Sequence, residues 1–206
     1  MAAATLAVAL ACSTSANAAT VSWSGNTGNG TAWLTTTNWV GSKFAGNYTT
    51  NPSANGTLTG DVALFSSAIT VTGAGINMGT VGANGPFQIG AVVSNLTALG
   101  SDGTSTTLSL GNTSSTGGTW QFNGATYDVG ATGGSISNLV AAITDSSTKN
   151  VTFRNAGTTS GTGVLVYQLN NATPTFYAPS GRTLRFGVES AITQASGVTA
   201  RLVKVG

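Results

Sequence analysis

The sequence has very little charge, no histidine and a single cysteine. Its 206 residues include seven Lys or Arg and five Asp or Glu. In typical soluble domains about a quarter of the residues are charged. Without histidine a Ser-His-Asp triad cannot form, and zinc-type metal sites lose their usual nitrogen ligand. The Lys and Arg residues are scattered and the net charge is only +2, which excludes a basic stripe for nucleic acid. The composition therefore predicts a protein that is not an enzyme, holds no metal or cofactor and does not bind nucleic acid.

The few carboxylates are too dispersed for a paired acid site. Glycoside hydrolysis needs two carboxyl groups brought together, and the sequence contains no paired-Asp motif. The acids occur where turns begin or strands start, and such positions are typical of turn and capping roles. A polysaccharide-cleaving β-helix enzyme is therefore the least supported function. It would have to use acids drawn from Asp61, Asp102, Asp128, Asp145 and Glu189.

Residues 1–18 have the pattern of a secretory signal peptide. An apolar stretch over residues 1–11 is followed by small polar residues and by Ala16-Asn-Ala18, an A-x-A cleavage pattern. The apolar run is shorter than the roughly 20 residues that span a bilayer. No Lys or Arg precedes the run, and Cys12 leaves a lipoprotein signal open as an alternative. We expect cleavage after Ala18 and an exported chain, extracellular or at the cell surface, without a membrane span.

Beyond the leader the dominant pattern is period-two alternation of β-branched and aromatic residues with polar ones, which is typical of strands. The clearest runs are 68–72, 107–110, 119–122, 151–154, 164–169 and 183–186. Trp120 and Phe122 share one face of their strand, as do Val151 and Phe153, and we expect these residues to lie in the core. Tight turns are predicted at Asn29-Gly30, Asn55-Gly56, Asn84-Gly85, Asp102-Gly103 and Asn123-Gly124, because these pairs tolerate positive φ angles. The sequence therefore predicts an all-β protein.

Only one segment has helical spacing. Apolar residues fall at i, i+3, i+4 and i+7 from Ile136 to Ile143, but glycines precede it and Asp145-Ser-Ser follows it. These flanks favour a short element or another strand. The pattern alone leaves two all-β folds open: a solenoid, in which Ile69, Phe87 and Leu108 mark successive coils of roughly 20 residues, and a two-sheet sandwich.

The aromatic residues at the start of the mature chain carry a resemblance to a known family. The segment runs from Trp23-Ser-Gly through Trp33 to Asn38-Trp39, and Asp61-Val-Ala-Leu-Phe65 follows. This order resembles the opening of bacterial surface proteins with autotransporter-associated β-strand repeats, also called passenger-associated repeats. Near the other end, Ser180-Gly-Arg-Thr-Leu184 resembles the strand before the first repeat and Leu202-Val-Lys-Val-Gly206 resembles the start of that repeat.

The resemblance implies a right-handed parallel β-helix with a Trp-rich N-terminal cap, and an antiparallel β-sandwich is the alternative. The expected organisation is a signal peptide at 1–18, the cap at 19–66 and β-helix coils at 67–206. Since the sequence stops in mid-strand at Gly206 without a polar capping unit, we expect an N-terminal fragment of a longer passenger. The implied function is non-catalytic, as a structural or adhesive protein.

The tryptophans are the only candidate binding residues. Trp23, Trp33 and Trp39 lie among Gly, Asn and Thr, and flat aromatic faces bordered by amides suit a carbohydrate-binding module. Alternatively, the indoles are buried and close the open end of the first coil with large apolar area. The partners left open are surface glycans, bound through Trp23, Trp33 and Trp39, and further copies of the chain, stacked end to end into filaments.

Overall fold

The computed structural model describes residues 18–24, 32–69, 75–78, 85–100, 104–111, 118–154, 165–187, 190–199 and 203–205. Nearly all of the predicted leader, the predicted turns at 29–30 and 102–103, Asn84 of the turn at 84–85 and residues 70–72 of the predicted strand lie outside these ranges. The described ranges contain strands joined by turns and one short 3-10 helix, Thr36–Asn38. The prediction of an all-β chain is confirmed. In the described part of the chain, no helix has the length and apolar character needed to cross a membrane.

The described residues form sixteen strands. The first eight are β1 Thr20–Ser22, β2 Asn47–Tyr48, β3 Val62–Ile69, β4 Gly75–Asn77, β5 Phe87–Ile89, β6 Ala91–Leu99, β7 Thr107–Gly111 and β8 Gly118–Phe122. The others are β9 Ala125–Asp128, β10 Ser135–Ile143, β11 Asn150–Phe153, β12 Leu165–Leu169, β13 Thr175–Tyr177, β14 Leu184–Phe186, β15 Ser190–Gln194 and β16 Val203–Val205. Their alternating β-branched and aromatic residues are those that a pleated, half-buried surface favours.

The strands in the described part of the chain form three sheets. The first sheet has the order β1-β3-β6-β10-β13-β16, with β9 added on β10; the second is β14-β11-β7-β4; the third is β15-β12-β8-β5-β2. Among the described strands only the pairs β9–β10 and β2–β5 are antiparallel. The described strands therefore do not form the antiparallel sandwich. From β3 to β16 the chain visits the first, second and third sheets in the same cyclic order, which is compatible with a β-helix-like fold.

The spacing of the cycle differs from the expected 20-residue coil. Ile69, Phe87 and Leu108 lie in β3, β5 and β7, which belong to three different sheets. Residues that pair within the first sheet are further apart in sequence. Val62 of β3 pairs with Ala91 of β6, and the next residue of β6, Val92, pairs with Ala141 of β10. The interval varies from cycle to cycle, because the segments that join the strands differ in length. A fixed repeat is therefore not visible in the sequence.

The main core lies between the three sheets. In the third sheet Phe87 pairs with Trp120, and Trp120 with Tyr167, so that three aromatic rings share the inner face. Phe122 and Phe153 are fully buried in the same core, as the sequence predicted for strand residues on one face. Fully burying one such ring stabilises the fold by roughly 1.5–3 kcal/mol. The buried residues on the inner faces of the three sheets are the main source of stability in a chain that forms no disulfide within the described residues.

A second apolar cluster covers the outer face of the first sheet. Val62, Val93 and Tyr177 point outward from this sheet and pack against Leu139 and other residues of the β9–β10 hairpin. The segment with helical spacing is thus a strand, part of β10. The apolar residues of β10 are not strictly alternate because the strand has a register shift after Ile136.

Candidate functional site

The three tryptophans lie together inside the N-terminal end of the core. Trp23 follows β1 and forms an antiparallel bridge with Trp39, and Trp33 lies beside the short 3-10 helix. The ring centroids of Trp23 and Trp39 are 5.0 Å apart and those of Trp33 and Trp39 are 4.7 Å apart, both in edge-to-face arrangement. Trp33 also contacts Trp120 of the third sheet at 5.0 Å. The aromatic segment is therefore continuous with the main core.

Hydrogen bonds fix two of these indoles. The N–H of Trp33 donates to the carbonyl oxygen of Ala45 at 3.0 Å, and the N–H of Trp39 donates to the carbonyl oxygen of Trp33 at 2.6 Å. The amide of Asn38 donates to the carbonyl oxygen of Ala32 at 2.9 Å. These bonds satisfy three carbonyl oxygens, of Ala32, Trp33 and Ala45, while the segment packs against Phe65 of β3 and bonds to Asn77 of β4.

The burial of the tryptophans bears directly on glycan stacking. Trp23, Trp33 and Trp39 are 4, 0 and 2% exposed. A pyranose ring stacks only on an indole face that reaches the solvent, and these indoles present none while the segment keeps this packing. Their geometry is that of the alternative role, closing one end of the core.

Asp145 organises a loop rather than an acid site. Its carboxylate accepts hydrogen bonds from the backbone and side chain of Thr132, at 2.7 and 2.5 Å, and from the hydroxyl of Tyr177. These bonds, with that from the Thr132 hydroxyl the largest cause, lower the pKa of Asp145 to about 2. Asp128 accepts a bond from the backbone N–H of Gly130 in the same loop, at 3.0 Å. Two carboxylates that the sequence separates thus hold one turn.

The remaining acids form no catalytic group that the structure describes. Asp61 is bonded to backbone amides at the start of β3, while Asp102 and Glu189 lie outside the described residues. Among the described residues no three acidic, histidine or cysteine side chains converge.

An amide ladder runs along the outer face of the third sheet and was not predicted. The side-chain N–H of Gln88 donates to the side-chain oxygen of Gln121 at 2.6 Å, and Gln121 donates in turn to Gln168. The three residues are in parallel register on β5, β8 and β12. A sequence signal for it exists: Phe-Gln-Ile, Trp-Gln-Phe and Tyr-Gln-Leu each place a Gln between two inward apolar residues.

None of the described residues covers the opposite end of the core, which contains a cavity of about 530 Å³; this end is called the open end below. Its apolar wall includes Phe176, Leu184 and Phe186, which are only partly buried. Strands β14, β15 and β16 are the last described strands of the three sheets, so each has one edge that no described strand covers. The two ends of the core therefore differ: tryptophans fill one, and the other exposes apolar side chains and strand edges.

The open end is positively charged. Arg182 and Lys204 line the cavity, and Arg185 is exposed on β14. Lys204 of β16 pairs in register with Phe176 of β13, which faces inward. The row of inward-facing apolar residues in the first sheet therefore ends in a lysine. The described acids do not line this cavity. An extended segment that pairs here would match these cations best with acidic residues.

Comparisons with family models, with curated proteins and with solved structures found no match to this chain.

Proposed function

We propose that the chain is a non-catalytic structural or adhesive protein of the bacterial exterior, built as a right-handed parallel β-helix. The observation that carries the proposal is the cyclic passage of β3 to β16 through three sheets around one core. A connection between parallel strands of one sheet is right-handed in nearly all proteins, which gives the handedness. Such a coil is an extended solenoid whose stability does not depend on charge.

The chemistry of the outer faces supports a structural role. The side-chain amides of Gln88, Gln121 and Gln168 bond to one another along the outer face of the third sheet, so these bonds are not made to a ligand. At the corner after the third sheet, the amide of Asn170 donates to the side-chain oxygen of Asn123 at 2.9 Å. Stacked amides of this kind stabilise parallel strands in register and keep the surface polar without charge.

The difference between the two ends of the core supports the proposal that this chain is the N-terminal part of a longer passenger. The tryptophan segment covers the first strands, and a solenoid needs a covered end to protect its core and strand edges. The edges of β14, β15 and β16 are suited to a further coil of the same kind, which would also cover Phe176 and Phe186. In this account the chain is the capped beginning of an autotransporter-associated-repeat protein.

Export is tested by following the protein in cells of its own host. We expect the mature protein to be accessible to protease added to intact cells, and to begin at Ala19 when its N-terminus is determined by mass spectrometry. The matched control is Ala18→Trp, because a bulky residue at the cleavage position blocks processing; this variant should keep its leader. A protease-protected protein in the cytoplasm that still begins at Met1 would contradict the proposal.

A further inference from the structure

A buried carboxylate lies opposite the residue that the leader pattern makes the first of the mature chain. Asp61, just before β3, is 2% exposed. One of its oxygens accepts a hydrogen bond from the backbone nitrogen of Ala19 at 2.8 Å, and the other accepts one from the backbone nitrogen of Leu58 at 2.9 Å. Ala19 comes immediately after Ala16-Asn-Ala18. The cleavage motif and the carboxylate thus point independently to the same nitrogen atom.

The described contacts of Asp61 do not balance its charge. They are hydrogen bonds from backbone amides, and no Lys or Arg side chain is among them. Burying an ionised carboxylate is costly unless a positive charge is paired with it. A cation at the Ala19 nitrogen would supply that pairing at hydrogen-bond distance.

Cleavage of the leader creates such a cation. A leader peptidase, with water as the co-reactant, breaks the bond between the carbonyl carbon of Ala18 and the nitrogen of Ala19. The carbonyl carbon gains the water oxygen and becomes a carboxylate, and the nitrogen gains both water protons and becomes an ammonium group. A free α-amino group has a pKa of about 7.7–8.0, so it is mostly an ammonium ion at neutral pH.

We propose that the ammonium group of Ala19 forms an ion pair with Asp61 once the leader has been removed, and that this pair fixes the first strand on the first sheet. The inference rests on the export proposed above. The backbone is already in position, since the N–H of Val62 donates to the carbonyl oxygen of Ala19 at 2.8 Å and Thr20 pairs with Val62. The unprocessed chain has a neutral amide at the same place. The ion pair therefore stabilises the register of β1 on β3 in the mature protein and not in the unprocessed chain.

The test compares proteins that begin at Ala19 with a free amine or an acetylated amine, each with Asp61 and with Asp61→Asn. Equilibrium unfolding in urea is measured for all four. We expect acetylation to raise the equilibrium constant for unfolding about tenfold when Asp61 is present, as for a charge-assisted hydrogen bond, and to have little effect in Asp61→Asn. A protein with one extra Gly before Ala19 keeps the charge but displaces it, and should behave like the acetylated form.

A carboxylate in another place provides the control. Asp128 is exposed and bonded to Gly130, so acetylation should have the same tenfold effect in Asp128→Asn as in the unsubstituted protein. The same loss in both Asp61 backgrounds, or no loss in either, would overturn the ion pair. Because these proteins are made without the leader, the ion pair can fail while export stands, and export can fail while the ion pair is measured.

Discussion

The indole N–H of Trp39 donates a 2.6 Å hydrogen bond to the carbonyl oxygen of Trp33, and the two rings meet edge to face at 4.7 Å. This contact joins the two flanks of the 3-10 helix and holds Trp33 against Trp120 of the third sheet. One end of the core is thereby closed by side chains that hydrogen-bond to their own segment.

Trp33→Ala should destabilise the protein severely. The residue is fully buried and loses both its ring contacts and its bond to the carbonyl oxygen of Ala45, and truncating a buried Trp costs about 3–5 kcal/mol. Urea unfolding gives the change in free energy of unfolding. Val40→Ala is the control, because Val40 is 62% exposed in the same segment and should change this free energy by less than about 0.5 kcal/mol. Equal effects of the two substitutions would show that the indole is not part of the core.

Gly90→Ala should also be poorly tolerated. Gly90 lies between β5 and β6, and a Cβ atom there would clash with the backbone carbonyl group of Gly60. Since backbone atoms cannot move aside as a flexible side chain can, we expect a loss of about 1–3 kcal/mol. Gly60→Ala is the matched control, because a Cβ at Gly60 meets no atom within 4 Å. A normal melting temperature for Gly90→Ala would contradict the close approach of the two segments.

The loop held by Asp145 should loosen in acid. Its folded-state pKa of about 2 lies below the ordinary value of 3.8, so its contribution to stability is complete above pH 3.8 and is lost as the pH falls through about 2. Amide hydrogen exchange of residues 129–134 should therefore accelerate over this interval. In Asp145→Asn the same amides should exchange fast at every pH, while Asp128→Asn should retain the transition caused by Asp145. Exchange that is independent of pH in the unsubstituted protein, after correction for its intrinsic rate, would exclude this role.

Amide protection should fall towards the open end. Strands β8 and β12 are paired on both sides, whereas β15 is paired only with β12 among the described strands. Amides of β15 should exchange at least about tenfold faster than those of β8, because edge strands open by local fluctuations. Exchange measured by mass spectrometry at neutral pH separates the two strands. Equal protection would mean that the end is covered.

The sequence predicts the strands and the core better than their arrangement. Alternation of apolar and polar residues is a local property, so strands such as β8 and β11 and the buried Phe122 and Phe153 were predicted correctly. Sheet membership depends on connections of unequal length, which local patterns do not contain. Two features were missed for the same reason: the separate bonds of Asp128 and Asp145 to one loop, and the ladder of Gln88, Gln121 and Gln168. For the ladder, the three aromatic-Gln-apolar triplets carried a signal.

Distant segments of the chain pair as parallel strands in a defined register. This register is tested by disulfide formation between cysteine pairs in a Cys12→Ser background, on the second sheet, where Ser109 pairs with Thr152 and Thr152 with Arg185. Neighbouring strands are about 4.8 Å apart, within the range of a disulfide. We predict rapid oxidation of the pairs Ser109→Cys with Thr152→Cys and Thr152→Cys with Arg185→Cys. The pair Thr107→Cys with Thr152→Cys, displaced by two residues to roughly 7–8 Å, should oxidise slowly; equal rates for all three pairs, or no oxidation of the first two, would contradict the account.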